Sequence, residues 1–235
     1  GNDWSNLTPF GTGPGSKWGS SLAYDSKRNQ LLSFGSANSD RDTYLFNISN
    51  NTWINVTNIS TIAGSPPVTS GALFGGLVYS PTNDVAILYD GANLGDTWFF
   101  NFTNNTWRNA SAKGAPPSAN NAIIAYSNNS DVVLFFGGTG LNACGQATWM
   151  YNISNNTWAN KNPASPPASR RYHGMAYDPI SDVFMMGGGY DCVSARHNDH
   201  YIYNLSSNTW TSKATNGRNM QAQSMAYDSE MDLLF

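Results

Sequence analysis

The sequence is poor in charged residues, and this limits the functions open to it. Only 11% of its 235 residues are charged, whereas an ordinary soluble domain has roughly 25%. Glutamate occurs once, at Glu230, the formal net charge is −3 at pH 7, and no basic cluster is present. Because a nucleic-acid partner needs a basic surface, the composition argues against one.

Long apolar segments are also missing. The longest uninterrupted apolar runs are no longer than stretches such as 132–136, and a membrane-spanning helix needs roughly 20 apolar residues. We therefore expect no transmembrane helix in this sequence. No signal peptide is visible either. The chain opens just before Trp4 and stops within an apolar run, so we expect a fragment or processed piece of a longer protein.

A repeat of about 50 residues is what the sequence does contain. The stretch 47–53, Asn-Ile-Ser-Asn-Asn-Thr-Trp, returns in related form at 101–107, 152–158 and 204–210. Trp4 precedes the tryptophan of the first copy by 49 residues and is interpreted as the tail of an earlier copy. A period of this length predicts one supersecondary unit repeated in a single array.

Each repeat contains four short apolar or alternating runs. In the second repeat these are 77–80, then 85–89, then the aromatic run 98–100, and a fourth run that starts at Trp107. Polar turns rich in Asn, Asp, Pro and Gly separate the runs, which is typical of strands joined by tight turns. No segment has helical periodicity over 10 residues. The sequence therefore predicts an all-β fold.

Four strands per repeat indicate a β-propeller built from four-stranded blades. We expect one incomplete propeller over residues 1–235, part of a ring of five to seven blades. The predicted complete blades are 17–57, 72–111, 120–161 and 172–213, with partial blades at 1–8 and 222–235.

A family resemblance can be stated on these residues. The glycine doublet, the aromatic strand and the tryptophan that follows it resemble the kelch motif, and 166–174 resembles the entry to a kelch blade. The resemblance covers essentially the whole chain, although the doublet is broken at Gly35-Ser36 and Asp90-Gly91. It implies a kelch-type propeller in which Arg170 and His173 have structural roles.

Sequons for N-linked glycans, Asn-x-Ser/Thr, are unusually dense. Many fall at the same hairpin of successive blades, which predicts a secreted or cell-surface protein with sugars crowded on one rim. The opposite rim is expected to be freer for contacts, except near Asn55, Asn58 and Asn109. The twelve candidate sites are Asn6, Asn47, Asn50, Asn55, Asn58, Asn101, Asn104, Asn109, Asn128, Asn152, Asn155 and Asn204.

Only two cysteines are present, and they lie almost one repeat apart. Cys144 and Cys192 are separated by 48 residues, so they occupy similar places in neighbouring blades, where a disulfide is geometrically plausible. An oxidising, extracellular setting favours that bridge. The alternative is two separate reduced thiols.

The rim opposite the sugars carries the few clustered charges, and its longest loop is 190–200. We expect a ligand-binding rim formed by Asp40, Arg41, Asp96, Asp191, Arg196, His197, Asp199 and His200. His197 and His200, with Asp191 and Asp199 nearby, have a spacing that could ligate a transition metal. Because that spacing is a weak signal outside a helix, we expect no metal and no cofactor.

The sequence leaves the function open between two classes. The leading hypothesis is a non-enzymatic binding, adhesion or surface-assembly module, such as a subunit of a surface layer or filament. Its partners would be other surface proteins, copies of itself or glycans. The alternative is a carbohydrate-active enzyme, a glycoside hydrolase or an oxidase, with its site on the loop rim. Three histidines are few for the copper radical oxidases among kelch propellers, and a single Glu is few for a sialidase-like site.

Overall fold

Short antiparallel strands form all the regular secondary structure of the described residues. The computed structural model describes residues 6–17, 19–36, 40–57, 76–90, 95–114, 116, 119–140, 144–213, 224–228 and 230–234, without the side chains of 36, 40, 90 and 234. These residues contain no helix long and apolar enough to cross a lipid bilayer. The predicted all-β fold is confirmed.

The strands form four four-stranded sheets and one hairpin, each paired in chain order. Blade one contains β1 (Ser21–Asp25), β2 (Gln30–Ser36), β3 (Asp40–Asn47) and β4 (Thr52–Asn55). Blade two contains β5 (Leu77–Ser80), β6 (Val85–Asp90), β7 (Asp96–Asn101) and β8 (Thr106–Asn109). Blade three contains β9 (Ile123–Ser127), β10 (Val132–Phe136), β11 (Thr148–Asn152) and β12 (Thr157–Asn160). Blade four contains β13 (Gly174–Asp178), β14 (Val183–Gly187), β15 (His200–Asn204) and β16 (Thr209–Lys213), and β17 (Tyr227–Asp228) pairs with β18 (Leu233–Leu234).

One local hydrogen-bonding pattern closes most of the hairpins. The last turn residue is always Asn or Asp with a left-handed φ of 51° to 56°, a conformation that these side chains accept at low cost. In seven hairpins a tyrosine five residues earlier donates its hydroxyl hydrogen to that side chain, as Tyr151 does to Asn156 at 2.6 Å. Phe46 and Phe100 replace the tyrosine in the other two hairpins, and there Asn51 Oδ1 and Asn105 Oδ1 are buried without a partner.

The blades pack face to face through apolar side chains. Three buried clusters lie between blades one and two, two and three, and three and four. The repeated tryptophan is at the centre of each, and its indole Nε1 donates to a threonine of the preceding blade. Trp107 donates to Thr43 at 3.0 Å, Trp158 to Thr97 at 2.8 Å, and Trp210 to Thr148 at 3.0 Å. Four-stranded antiparallel sheets packed in series in this way form the blades of a β-propeller, as predicted.

Two rims follow from the strand order. The turns between the first and second strands and those between the third and fourth lie together at one end, which we call the hairpin rim. In blade one, Asn29 Nδ2 donates to Ser49 Oγ at 3.1 Å, which joins both turns. The opposite end, with the loops between second and third strands and the segments that enter each blade, is the loop rim. Its best-described loops are 137–140 and 188–199.

The hairpin rim also links neighbouring blades. Arg28 in the first turn of blade one donates two hydrogen bonds to the carboxylate of Asp84 in blade two, at 2.8 and 2.7 Å. In the next pair of blades, Asn83 donates to Asp131 at 2.8 and 2.9 Å. Contacts of this kind fix the angle between successive blades.

Candidate binding rim

A disulfide joins the loop rims of blades three and four. Cys144 and Cys192 form the bridge that their spacing predicted, with Cα atoms 5.7 Å apart. Cys192 has a φ of 67°. Asp191 fixes the same loop, because its carboxylate accepts hydrogen bonds from the backbone N–H groups of Val193, Ser194 and Ala195, each at 2.9 Å. The longest loop therefore has a defined shape.

Arg170 stabilises the loop rim of blade four from the protein interior. Its side chain is fully buried, and it donates to both carboxylate oxygens of Asp199, at 2.5 and 2.9 Å, and to the carbonyl oxygen of Gly188 at 2.9 Å. Its guanidinium also lies 5.5 Å from the ring centroid of Tyr201. Burial disfavours the charged form of Asp199, but the hydrogen bonds and charge of Arg170 outweigh this, and the pKa of Asp199 is lowered. Arg170 is structural, as the family resemblance implied.

The same ion pair occurs at the equivalent place in blade one. Lys17 Nζ lies 2.8 Å from Asp42, and both Asp42 and Asp199 stand five residues before the asparagine that ends the third strand. In blade three both positions of the pair are alanine, Ala119 and Ala147. Blade two keeps the acid, Asp96, but has Ala72 at the position of the cation, so only blades one and four contain both members of the pair.

All three histidines of the chain lie at the loop rim of blade four. His173 is fully buried against Phe136, with ring centroids 5.6 Å apart, and neither ring nitrogen has a hydrogen-bond partner. Burial, with the charges of Arg170 and His197, lowers the pKa of His173 to about 3. Burial, helped by Arg170, also lowers the pKa of His197, although Asp199 and Asp191 act in the opposite direction.

The glycine doublet of blade three makes room for this arrangement. A Cβ on Gly137, whose φ is 73°, would collide with the carbonyl oxygen of Arg170 and approach His173 Cε1 to 3.1 Å. Gly138 N–H donates to that same carbonyl oxygen at 3.0 Å. Because no other residue fits so close an approach, the doublet sets the contact between blades three and four.

Above the buried groups is a surface of arginine and aromatic rings. The Arg171 guanidinium lies 4.7 Å from the ring centroid of Tyr172 and 5.5 Å from that of Tyr190. Arg196 is exposed, and a backbone bridge pairs it with Tyr190. Tyr172 has a φ of 57°, which is unusual for a bulky residue. The patch formed by Arg171, Tyr172, Tyr190 and Arg196 is named the arginine–tyrosine patch below.

Several residues predicted for the loops of the rim lie instead at the loop-rim ends of strands. Arg41 is in β3, Asp96 begins β7 and His200 begins β15, because strand pairing extends further toward the loop rim than the apolar runs indicate. Asp40 also lies in β3 by its backbone, and its side chain is outside the described part. In the described residues, no hydrogen bond or ion pair joins Arg41 or Asp96 to the blade-four groups. No group of three or more His, Cys, Asp or Glu able to hold a metal is present in the described ranges.

The predicted sequons are at the surface. Asn58 lies outside the described residues; the other eleven are exposed or half-buried. Asn47, Asn101, Asn152 and Asn204 use Oδ1 to accept a backbone N–H of their own turn, as Asn152 does from Asn155 at 3.1 Å. This leaves the amide nitrogen, which would carry a glycan, outside those turn hydrogen bonds.

Sequence reasoning assigned His173 a structural role but missed its complete burial, and it missed the arginine–tyrosine patch. Aligning the repeats would have marked His173 as unusual, because the same position holds Ser20 in blade one and Ala122 in blade three. Sequence reasoning also gave no account of the central cavity. Its volume is about 740 Å³, and the first strand of each blade lines it.

Comparison with known families agrees with this geometry. A family model described as the KLHDC2/KLHL20/DRC7 Kelch-repeats domain matches residues 72–227, about two thirds of the chain. A search of curated proteins finds no match. The matched stretch contains blades two, three and four, with the glycine doublets and the repeated tryptophans. The chain belongs to the kelch-repeat family.

Proposed function

We propose that this protein is an extracellular, N-glycosylated kelch propeller that binds a partner protein at the loop rim of blades three and four. Kelch-repeat domains are generally protein-interaction modules rather than enzymes. The observation that carries the site is the arginine–tyrosine patch on loops fixed by the Cys144–Cys192 disulfide and by the buried Arg170–Asp199 pair.

The chemistry of the patch suits recognition. Arginine and tyrosine are among the side chains that contribute most to protein interfaces, because they offer large contact areas and directional hydrogen bonds. Arg171 Nε is buried and has no partner within the described chain, and Val193 on the neighbouring loop is 81% exposed. A rigid loop that presents such groups loses little conformational entropy on binding.

The opposite rim supports the extracellular part of the proposal. Asn47, Asn50, Asn101, Asn104 and Asn128 belong to its turns, as do Asn152, Asn155 and Asn204. Glycans on these turns would add polar bulk to a weakly charged surface. They would also leave the arginine–tyrosine patch of blades three and four free for contact. The disulfide fits the same compartment.

The role we propose is adhesion or recognition. The enzymatic alternative requires the predicted acidic and basic groups to converge, and no observation supports it. Asp191 accepts three backbone hydrogen bonds from its own loop, and Asp199 is held by Arg170.

The first experiment tests the compartment. The chain is secreted from eukaryotic cells and treated with a glycan-removing amidase in heavy-oxygen water, and each converted Asn is identified by peptide mass spectrometry. We expect conversion at several hairpin-rim sequons and a Cys144–Cys192 peptide pair without reduction. Secretion of a folded chain with every sequon unmodified would contradict the extracellular assignment.

The second experiment tests the rim. The secreted protein is screened against arrays of cell-surface ectodomains and of glycans, and binding is repeated with Arg171→Ala and Arg196→Ala. We expect an ectodomain hit that each variant weakens by about tenfold or more. Lys27→Ala removes one exposed charge from the hairpin rim and is the matched control, with binding unchanged. If Lys27→Ala abolished binding and both arginine variants retained it, the partner would bind at the hairpin rim, and the proposed loop-rim site would be wrong.

A further inference from the structure

Two short backbone pairings build the arginine–tyrosine patch. The N–H of Tyr190 donates to the carbonyl oxygen of Arg171 at 2.9 Å, and its own carbonyl oxygen accepts the N–H of Arg171 at 3.0 Å. On its other side, Tyr190 forms a backbone bridge with Arg196. Residues directly opposite each other in an antiparallel ladder present their side chains on the same face, so Tyr190 stands between two arginines. The patch therefore depends on what holds residues 190–197 in place.

Blade three holds this loop through the disulfide. In the described parts of the two loops, 137–140 with 144–147 and 190–197, every polar contact between them involves a sulfur atom of the bridge. Cys192 Sγ lies 3.6 Å from the hydroxyl oxygen of Thr139. Cys144 Sγ lies 3.5 Å from the carbonyl oxygen of Tyr190, the same oxygen that pairs with the entry segment of blade four. The bridge is thus the link between the patch and blade three.

The bridge lies near the surface and outside the core. Cys144 and Cys192 are both half-buried, and Val193, next to Cys192, is exposed. Neither cysteine belongs to the apolar clusters between the blades. Cys192 also has a left-handed φ of 67°, which costs free energy for a residue with a Cβ. Opening the bridge therefore removes no core contact and lets this residue relax.

The contacts that join blades three and four beneath the loop do not pass through the bridge. Arg170 N–H donates to the carbonyl oxygen of Gly145 at 3.1 Å, and Gly138 N–H donates to the carbonyl oxygen of Arg170 at 3.0 Å. Deeper in the junction, the indole of Trp210 donates to Thr148 at 3.0 Å. We therefore expect the two blades to remain packed when the bridge opens, with only the loop above them released.

We propose that the Cys144–Cys192 disulfide is a redox switch that controls the shape of the arginine–tyrosine patch. The closed bridge holds residues 190–197 on blade three, and the patch binds its partner. When the bridge opens, the loop leaves blade three, the pairing of Tyr190 with Arg196 loosens, and the patch loses affinity. What the patch binds rests on the proposed function, whereas the movement of the loop is measurable without a partner.

The switch is a thiol–disulfide exchange with a dithiol as the reductant. A thiolate of the dithiol attacks one sulfur of the bridge, which forms a mixed disulfide, and the other cysteine leaves as a thiolate and takes up a proton. The second thiol of the reductant, as its thiolate, then attacks the mixed disulfide, and the remaining cysteine leaves and is protonated. Two electrons and two protons pass from the dithiol to the bridge, and the dithiol becomes a disulfide.

The test treats the folded, full chain with dithiothreitol, traps the thiols with iodoacetamide and follows amide hydrogen exchange by mass spectrometry. We expect both cysteines to be alkylated without denaturant. Exchange at the N–H groups of Tyr190 and His197, which pair with the carbonyl oxygens of Arg171 and Gly189, should then rise by about tenfold or more. Strand β10 should exchange as slowly as before. Reduction that requires denaturant, or unchanged exchange in the reduced loop, would overturn the proposal in favour of a purely structural crosslink.

The double variant Cys144→Ser/Cys192→Ser opens the bridge without an alkyl group. It should exchange like the reduced chain, and dithiothreitol should change nothing further, which controls for effects of the reductant elsewhere. A double variant whose loop exchanges as slowly as that of the oxidised chain would contradict the switch. If this variant does not fold, the reduced form of the unchanged chain decides the question.

Binding separates the switch from the proposed function. An ectodomain from the array that needs Arg171 and Arg196 should bind the reduced chain about tenfold more weakly or worse. Equal binding to both redox forms would overturn the switch and leave the patch as the binding site. An array with no such ectodomain would contradict the proposed function, and the exchange measurement would still decide whether the bridge controls the loop.

Discussion

The two rims of the propeller are specified in different ways. At the hairpin rim, nine turns repeat one local pattern, in which a left-handed Asn or Asp ends the turn and in most cases a tyrosine five residues earlier binds it. At the loop rim, the contacts that matter join residues far apart in the chain and differ from blade to blade. Arg170 binds Asp199 across 29 residues, and Cys144 is joined to Cys192 across 48.

The difference between the two rims determines how far each can vary in sequence from blade to blade. A hairpin defined by six consecutive residues can be copied from blade to blade without changing anything else, so the hairpin rim is uniform. A loop held by a long-range pair depends on two separate stretches of the chain and loses that contact when either partner changes. Blade three, with alanine at both positions of the ion pair, is an example. The loop rim is consequently where blades acquire individual chemistry.

The largest effect should come from breaking the buried ion pair of the loop rim. Arg170→Met leaves the Asp199 carboxylate without its cation and should lower the free energy of unfolding by about 3–5 kcal/mol. Chemical denaturation measures this change. The double variant Arg170→Met/Asp199→Leu removes both charges and should recover most of the loss. A double variant as unstable as the single one would show that packing, rather than charge, dominates at this site.

Acid should destabilise the loop rim of blade four next most strongly. The pKa of His173 is about 3 in the folded chain and about 6.5 in an unfolded one. Between these values only the unfolded chain binds the proton, so the free energy of unfolding falls as the pH falls, by on the order of a few kcal/mol. Denaturation curves at pH 7 and pH 4.5, with His173→Leu beside the unchanged protein, measure this. Equal pH dependence in the two proteins would exclude His173 as its source.

Removing a hydrogen bond between blades should have a smaller effect. Thr97→Val keeps the shape of the side chain but leaves Trp158 Nε1 buried without an acceptor, at a cost of about 1–2 kcal/mol. Thr148→Val tests the next junction and should cost a similar amount, since Trp210 makes the same contact there. Thermal unfolding of both variants and of the pair provides the comparison. A neutral result at both sites would mean that water satisfies the indoles.

The smallest effect should come from a substitution at the hairpin rim, and it should increase the free energy of unfolding. Phe100→Tyr adds the hydroxyl group that seven other hairpins have and gives Asn105 Oδ1 a donor, which should stabilise the chain by about 1 kcal/mol. Tyr151→Phe is the reverse change in blade three and should cost a similar amount. If Phe100→Tyr destabilises the chain, blade two has no room for the hydroxyl and differs from its neighbours in packing as well as sequence.

The difference between local contacts at the hairpin rim and long-range contacts at the loop rim also separates what could be predicted from the sequence from what could not. The strands, the turns closed by Asn and Asp, and the four-stranded repeat were predictable, because each depends on residues close together in the chain. The Arg170–Asp199 pair was not, because its two members are 29 residues apart in the chain. The burial of His173 was not either, because it depends on how blade four packs against Phe136 of blade three. The loop-rim end of β7 extends beyond the predicted aromatic run 98–100, because polar residues such as Asp96 continue the ladder.

The shared tryptophan–threonine bonds bear on how the array melts. Each indole is buried under its neighbour and donates a hydrogen bond to it, so a blade that unfolds leaves the next one with an exposed aromatic core and an unpaired donor. Units coupled in this way lose their independence. We expect blades two, three and four to melt in one cooperative transition, and a lone blade cut from the array to have no stable fold.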